Sequence, residues 1–340
     1  MLEFENLKAL LNQNGFPAFR AKQIYHAIYT ESKKNYDEMT NLPNNLKEFL
    51  KTNVNILNIN PVVHAKSSDG TIKTLFQLHD GKKIESVMME FDDGRITVCI
   101  SCQVGCVFRC KFCATGSMGF SRNLSAEEMT DQVLYFNQIL APEKKRVSHV
   151  VYMGMGEPFM NFEEMKKSLF WLNGQQSFKL ASRHITVSTS GVSDRIKDFA
   201  EIPMQINLAI SLHAPNQELR QKIMPQAEKF TLDELMNEIR KYMEKTHRRV
   251  SYEYVMLNGV NDSLECAHQL GKLLKGQLSH VNTIRYNTTY ADFHSSSMKR
   301  IREFEEIVKS YGVPISLRIS RGEDISAACG QLAGEKTKAN

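Results

Sequence analysis

From residue 96 onward, short β-like runs alternate with helical stretches, and this alternation limits the fold more than any other feature. The predicted strands span 96–101, 148–153, 184–188, 205–211, 251–256, 280–286 and 314–319. Capping boxes that begin at Ser125 and Thr231 predict the starts of two intervening helices. Strands that alternate with helices indicate an α/β fold, here a partial (β/α)6 barrel with its helices outside a parallel sheet.

Two regions with different residue patterns precede the barrel. Residues 1–60 have helical periodicity, with Ile24, Ala27 and Ile28 on one face. Residues 61–95 contain β-like runs separated by Asp-Gly pairs, which predict an antiparallel meander with tight turns. We therefore expect a helical accessory domain at 1–60, a β-meander extension at 61–95, the barrel at 96–334 and a flexible tail at 335–340.

The composition gives the net charge of the chain and bears on its cellular compartment. The 340 residues are 42% hydrophobic and carry a net charge of +5, which permits an anionic partner such as nucleic acid without requiring one. The basic runs at 144–146 and 247–249 are more often solvated surface than a binding site. No apolar run reaches the ~18 residues of a membrane span, and the start lacks the pattern of a signal peptide. We expect a cytoplasmic protein with reduced thiols.

Five of the seven cysteines fall in one stretch of fifteen residues, CISCQVGCVFRCKFC at 99–113. In a reduced compartment, such clustering indicates metal binding or catalysis. A zinc site could use the CxxC pairs Cys99–Cys102 and Cys110–Cys113. Against zinc, Cys99 lies in a β-branched run, so Cys99 and Cys102 would point to opposite faces of a strand.

The alternative is an iron–sulfur site. Cys106, Cys110 and Cys113 form a CxxxCxxC pattern that can hold three irons of a [4Fe–4S] cluster and leave the fourth iron open to a small molecule. This pattern, placed after the first barrel strand, resembles the radical S-adenosylmethionine (SAM) superfamily. GMGEP at 154–158 is similar to the superfamily segment that holds SAM, with Gly156 for close backbone approach and Glu157 for the amino group.

The resemblance extends to one family. Motifs over residues 85–334 resemble, in order, the RlmN family of RNA adenine-C2 methyltransferases, and FRAKQIYHAIY near the start fits its helical accessory domain. These motifs are CISCQVGCVFRCKFCATGSMGFSRNL, MGMGEP, TVSTSGV, AISLHAP, VMLNGVND and DISAACGQLAG. The resemblance covers nearly the whole chain.

The resemblance to this family implies a reaction mechanism and the residues that carry it out. Cys329 matches the cysteine that one SAM methylates. A second SAM, cleaved to a 5′-deoxyadenosyl radical, then activates this methyl group for addition to adenine. Cys99 matches the cysteine that resolves the protein–RNA intermediate, with a transient Cys99–Cys329 disulfide. Glu85 matches the proton acceptor, although in isolation this residue resembles an exposed charge at a strand rim.

The resemblance also implies the SAM contacts. Beside Gly156 and Glu157, the matching positions are Ser188, Ser211, Leu212, His213 and Asn287. Taken singly, the polar ones among them are more often residues that cap strand ends. Cys102 and Cys266 match no catalytic role.

The implied partners are 23S rRNA at the peptidyl-transferase centre, tRNA at the adenosine beside the anticodon, and an electron donor such as a flavodoxin system. We expect a monomer without a membrane partner. The related Cfr enzymes methylate adenine C8 and confer antibiotic resistance, and HVNTIRYN leans toward them, whereas SRGEDISAACGQL favours C2. Two other classes remain open: a zinc-containing RNA-binding protein without catalysis, and a redox sensor that uses Cys99 and Cys329.

Overall fold

A computed structural model describes residues 3–289 and 291–333. The predicted tail at 335–340, and with it Gly334, lies outside the described residues. No helix of the described part is long and apolar enough to cross a membrane.

Three amphipathic helices form the start of the chain: α1 (Phe4–Gln13), α2 (Arg20–Tyr29) and α3 (Asn44–Asn53). The predicted apolar face is buried, because Ile24 and Ile28 are inaccessible to solvent. Arg146 donates a hydrogen bond of 2.6 Å to the Tyr29 carbonyl, which joins these helices to the barrel.

One ten-stranded sheet forms the centre of the protein, and its strands lie side by side in the order in which they follow one another along the chain. The meander strands β1 (Ile59–Lys66), β2 (Ile72–Leu78) and β3 (Lys83–Glu90) pair antiparallel with one another, and β3 continues the ladder to β4 (Ile96–Cys99). The meander is therefore continuous with the barrel sheet.

The remaining strands of this sheet pair parallel with one another, starting from β4. They are β7 (His149–Tyr152), β8 (Ile185–Thr189), β9 (Asn207–Ser211), β10 (Val250–Met256), β11 (Ser279–Arg285) and β12 (Ile315–Arg318). The connecting helices are α4 (Ala114–Met118), α5 (Ala126–Leu140), α6 (Phe162–Asn173), α7 (Ile196–Ala200), α8 (Gln217–Ile223), α9 (Leu232–Thr246), α10 (Leu264–Leu274) and α11 (Met298–Ser310). This arrangement confirms the predicted partial barrel with its N-terminal helices and β-meander.

Local sequence signals place several elements. Both capping boxes form: Ser125 Oγ accepts from Glu128 N, and Thr231 Oγ1 accepts from Glu234 N, so α5 and α9 start where predicted. A separate two-stranded sheet, β5 (Gln103–Gly105) with β6 (Phe120–Asn123), was not predicted. It folds the chain back around the cysteine loop.

Candidate active site

The cysteine loop follows β4, at the carboxyl end of the parallel strands. Gly105 has φ +74°, and a Cβ there would collide with the Gly119 carbonyl, so only glycine fits this crossing of β5 and β6. Cys106 N donates to the Gly119 carbonyl at 3.1 Å, and Cys113 N donates to the Cys110 carbonyl at 3.1 Å. These bonds set the positions of the three predicted ligand cysteines.

The sulfurs of this loop receive hydrogen bonds from nearby N–H groups. Gln226 Nε2 donates to Cys110 Sγ at 3.1 Å, and Phe108 N donates to Cys106 Sγ at 3.4 Å. Burial raises the pKa of Cys106 and Cys113, and raises that of Cys110 to about 12. Buried thiols of this kind ionise when iron binds them, and N–H donors suit the resulting thiolates. The donor set therefore fits a [4Fe–4S] cluster held by Cys106, Cys110 and Cys113.

A zinc site and an iron–sulfur cluster place different demands on their ligands. In the described residues, no three His, Cys, Asp or Glu side chains are grouped closely enough to hold one metal ion. A zinc site needs four ligands that converge on a single point, whereas each thiolate of a [4Fe–4S] cluster binds a different iron. Cys102 is buried, and its neighbours include Glu157 and Cys106.

A cavity of about 170 Å³ adjoins the cysteine loop. It is lined by the three cysteines and by five of the predicted SAM residues: Gly156, Glu157, Ser188, Ser211 and His213. Each of these five lies in a parallel strand or in the loop that follows it, and the carboxyl ends of such strands meet at one edge of the sheet. The fold thus gathers into one cavity residues that are more than fifty positions apart.

Glu157 is buried and already well bonded. Its carboxylate accepts hydrogen bonds from Ser190 N at 2.7 Å, Ser190 Oγ at 2.6 Å and Phe159 N at 3.0 Å. Burial raises the pKa of Glu157, and these donors oppose that rise. Gly156 has φ +103°, and a Cβ there would collide with Gln103, so the backbone before Glu157 requires glycine.

His213 has a positive φ of 58° and a buried ring. Its Nδ1 accepts a hydrogen bond of 3.0 Å from Val255 N, which places the proton of the neutral ring on Nε2. Burial, followed by the charge of Arg220, lowers the pKa of His213 to about 3. The ring is therefore a neutral donor, and its edge contacts Phe112.

Two predicted SAM residues lie apart from the lining of this cavity. Leu212 is a core side chain. Asn287 Nδ2 donates to the Cys329 carbonyl at 3.1 Å, and its buried Oδ1 accepts no hydrogen bond in the described part of the chain. Asn287 therefore orients the segment that carries Cys329.

Cys329 lies on a wall shared by two cavities. It lines the small cavity beside the cysteine loop and also a second cavity of about 1390 Å³, which is lined by residues of β3, β4 and β7–β12 and of the segments that join them. Cys99 lines this second cavity as well. Both are free thiols. Burial, then the nearby Cys329, raises the pKa of Cys99 to about 12.

Glu85 is buried rather than exposed, contrary to what its sequence context alone indicates. Its side chain is about 2% exposed and pairs with Lys73 Nζ at 3.2 Å. Glu85 Oε2 also accepts a hydrogen bond of 2.8 Å from Ala333 N. The reason for the burial is that β3 lies within the sheet, between β2 and β4, where Lys73 and the backbone at Ala333 cover the carboxylate.

Sequence reasoning missed four residues at this site: Lys73, Ser190, Gln226 and Arg318. Arg318 lines both cavities, and its Nη1 lies 3.7 Å from Glu253 Oε2. Ser190, in the TSGV motif, was the one with a usable signal, because it directly follows a predicted strand end. The other three act through contacts with distant residues, which sequence spacing does not reveal.

The barrel and its three-cysteine loop define a radical SAM enzyme, and residues 100–269 match the model of the radical SAM superfamily. Residues 1–56 match the ribosomal RNA large subunit methyltransferase N-terminal domain. The chain is 44% identical to the "probable dual-specificity RNA methyltransferase RlmN" of Lysinibacillus sphaericus (strain C3-41), over 97% of this chain and 87% of the relative. It is 42% identical to the "ribosomal RNA large subunit methyltransferase N" of Nitrosopumilus maritimus (strain SCM1), over 96% of each.

A crystal structure of a radical SAM methyltransferase from Sphaerobacter thermophilus superimposes with a TM-score of 0.96, at 44% identity and 98% coverage of both chains. The chain belongs to the RlmN family of radical SAM RNA methyltransferases. Its cofactors are a [4Fe–4S] cluster and SAM.

Proposed function

We propose that this enzyme methylates C2 of a specific adenosine in 23S rRNA and in tRNA, with Cys329 as the residue that carries the methyl group. The observation that supports this most is the position of Cys329 on the wall between the two cavities. Two relatives are named a dual-specificity RNA methyltransferase and a ribosomal RNA large subunit methyltransferase, and these names support RNA as the class of substrate.

When bound, the cluster supplies the electron for SAM cleavage, and SAM supplies the methyl group. Glu157, Ser188, Ser211 and His213 would hold SAM in the small cavity, which Cys329 also lines. From its position on the shared wall, Cys329 receives a methyl group on one side and meets the adenine ring on the other.

Cys99 resolves the covalent intermediate. It lies at the end of β4 and lines the larger cavity together with Cys329. Attack of the Cys99 sulfur on the sulfur of Cys329 would form a Cys99–Cys329 disulfide as the bond between the Cys329 sulfur and the transferred carbon breaks. The electron pair of that bond would go to the carbon, which takes up a proton and leaves as the methyl group of the RNA, while the Cys99 thiol proton passes to solvent. Burial keeps Cys99 as a thiol until that step. Glu85 remains our candidate for the proton acceptor, and to act it must exchange its present bond to Ala333 N for contact with the base.

The opening of the larger cavity suits RNA. Its lining includes the basic side chains Arg95, Arg183, Lys245, Arg248 and Arg249. His149 and His184 stack there, with their ring centroids 4.2 Å apart. Cations bind phosphates, and flat rings stack on bases that leave the helix, so this opening would admit a flipped adenosine.

The proposal also covers the electron donor, the oligomeric state and the cellular compartment. The electron donor is a flavodoxin-type system, the enzyme acts as a monomer, and it works in the cytoplasm.

The test is mass spectrometry of nucleosides from 23S rRNA and tRNA treated with the reduced, cluster-loaded enzyme and SAM. We expect 2-methyladenosine in both RNAs, and none with Cys329→Ala. Formation of 8-methyladenosine instead would reassign the enzyme to Cfr-type chemistry, and absence of both products would refute the proposal.

A further inference from the structure

The segment that carries Cys329 has little structure of its own. Residues 320–333, here the Cys329 segment, contain a single 3-10 turn at Glu323–Ile325. Its position therefore depends on contacts with other parts of the chain. Several of these contacts come from the meander: Gly322 N donates to Asp69 Oδ2 at 3.0 Å, and Arg321 donates to the Glu90 carbonyl at 3.1 Å.

Two further contacts flank Cys329 itself. Lys73 Nζ donates to the Ser326 carbonyl at 3.0 Å, three residues before the cysteine. Ala333 N donates to Glu85 Oε2 at 2.8 Å, four residues after it. Lys73 and Glu85 are themselves paired at 3.2 Å. One ion pair thus holds both sides of the loop that presents the thiol.

The pair lies in the sheet, where neither member moves freely. In the β2–β3 ladder, Leu75 pairs with Glu85 and Lys73 pairs with Val87, so Lys73 and Glu85 are diagonal neighbours on one face. Their side chains are 4% and 2% exposed. Buried charges persist only when they are paired and hydrogen-bonded, and removal of one partner is strongly unfavourable for the other.

We propose that Lys73 is a positioning residue for methyl transfer: with Glu85 it fixes both sides of the Cys329 loop, and so holds the Cys329 sulfur in the wall between the two cavities. The inference rests on the proposed role of Cys329. In the step concerned, the Cys329 sulfur forms a bond to the SAM methyl carbon as the bond from that carbon to the SAM sulfur breaks. S-adenosylhomocysteine leaves, and the thiol proton passes to solvent.

A purely structural lysine would support the meander as a whole. Its loss would loosen β2 and β3 together with everything that packs on them. A positioning lysine, in contrast, affects the Cys329 segment selectively, because β2 and β3 keep their backbone ladder without it.

The experiment compares Lys73→Met with wild type, with Lys66→Met as the matched control. Lys66 lies at the end of β1 in the same meander and is exposed. Hydrogen–deuterium exchange is measured by peptide on the cluster-loaded enzyme. Methylation of Cys329 on addition of SAM is followed separately by mass spectrometry of the Cys329 peptide.

We expect Lys73→Met to raise the exchange rate by a larger factor in residues 326–333 than in residues 72–90, where Glu85 loses its partner, with the iron content unchanged. Methylation of Cys329 should slow by about ten- to a hundredfold, since a displacement of about 1 Å at a reacting group has an effect of that size. Lys73→Arg should restore both readouts, and Lys66→Met should leave both at wild-type values.

Unchanged exchange at 326–333, or an equal rise across 72–90, would overturn the proposal. If Lys73→Met does not fold, Lys73→Gln provides the same comparison, because its neutral amide removes the charge that pairs with Glu85 and leaves a polar side chain in the buried position. Absence of methyl on Cys329 in the wild type would refute the proposed function instead, and the exchange data would still decide whether Lys73 holds the segment.

Discussion

The cysteine loop and the Cys329 segment meet at one cavity, but they are held in different ways. Within the loop, Cys113 N bonds to the Cys110 carbonyl and Gly116 N to the Cys113 carbonyl, so neighbours in sequence fix each other. The Cys329 segment relies on partners elsewhere in the chain: Lys73 and Glu85 lie about 250 positions away, and Ala114, which follows the cysteine loop, donates to the Gly330 carbonyl at 2.7 Å. A compact ligand set can therefore be recognised from spacing, whereas a single reactive thiol depends on partners elsewhere in the chain.

The largest effect should come from the loop. Cys110→Ala removes one cluster ligand, so we expect loss of the cluster, from about four irons per chain to none, and loss of all methylation. Iron analysis and the visible absorption of the anaerobic protein measure this. Cys266→Ala is the matched control, because Cys266 is buried on α10 outside the site and should keep its iron. A Cys110 variant that retained a full cluster would contradict the ligand assignment.

The next effect separates the two regions. Cys99→Ala should keep the cluster and the methyl group on Cys329, yet stop after a single event with RNA covalently attached, because no thiol resolves the intermediate. Denaturing gel electrophoresis with labelled RNA detects the adduct. Recovery of only free RNA would show that Cys99 does not have the resolving role. Cys99→Ala/Cys329→Ala is the control and should give no adduct.

Cys99 should react more slowly with an alkylating reagent than Cys329, because Cys99 is buried and its burial raises its pKa to about 12. Cys329 is exposed, so iodoacetamide should modify it first at pH 8. Peptide mass spectrometry over time follows both sites. As pH rises toward 12, Cys99 should ionise and react faster. Equal rates at pH 8 would mean that Cys99 is more accessible than its position at the end of β4 indicates.

A smaller effect concerns the cluster environment. Gln226→Leu removes the N–H donor to Cys110 Sγ, and with it a group that stabilises the more negative, reduced cluster. We expect the midpoint potential to shift to a more negative value with iron content unchanged. Potentiometric titration followed by electron paramagnetic resonance measures the shift. Gln269→Leu, on α10, should leave the potential unaltered; a shift of the same size there would remove the assignment to Gln226.

The smallest effect belongs to Cys102. Cys102→Ser places a hydroxyl in a buried position, which should cost about 1–3 kcal/mol of folding free energy without loss of iron or of methylation. Thermal denaturation measures the loss of folding free energy, and iron analysis measures whether the cluster is retained. Loss of the cluster in this variant would return Cys102 to the set of ligand candidates.

Much of the fold follows from local signals. The strand–helix alternation predicts the partial barrel, and the capping boxes at Ser125 and Thr231 fix the starts of α5 and α9. The short β5–β6 sheet was not predicted, because β5 has only three residues and β6, FSRN, has a single apolar residue, so neither shows the pattern of a strand. An element of secondary structure can therefore be predicted only when enough of its residue pattern lies within one segment of the sequence.

The site is harder to predict from local sequence patterns than the fold is. Spacing indicates the cysteine trio, but the burial of Glu85 depends on Lys73 and Ala333, and the environment of Cys110 depends on Gln226. These contacts form only after distant strands align. No local pattern distinguishes a buried Lys–Glu pair on adjacent strands from two exposed charges.

The long separation between Lys73 and Ser326, 253 residues, also bears on how the enzyme is made. A ribosome releases the meander and the cysteine loop well before it releases Cys329. A growing chain can thus collect its ligand cysteines early, while the sulfur that accepts the methyl group arrives after every strand of the barrel has been synthesised. The order of synthesis keeps the acceptor thiol away from an unfinished barrel.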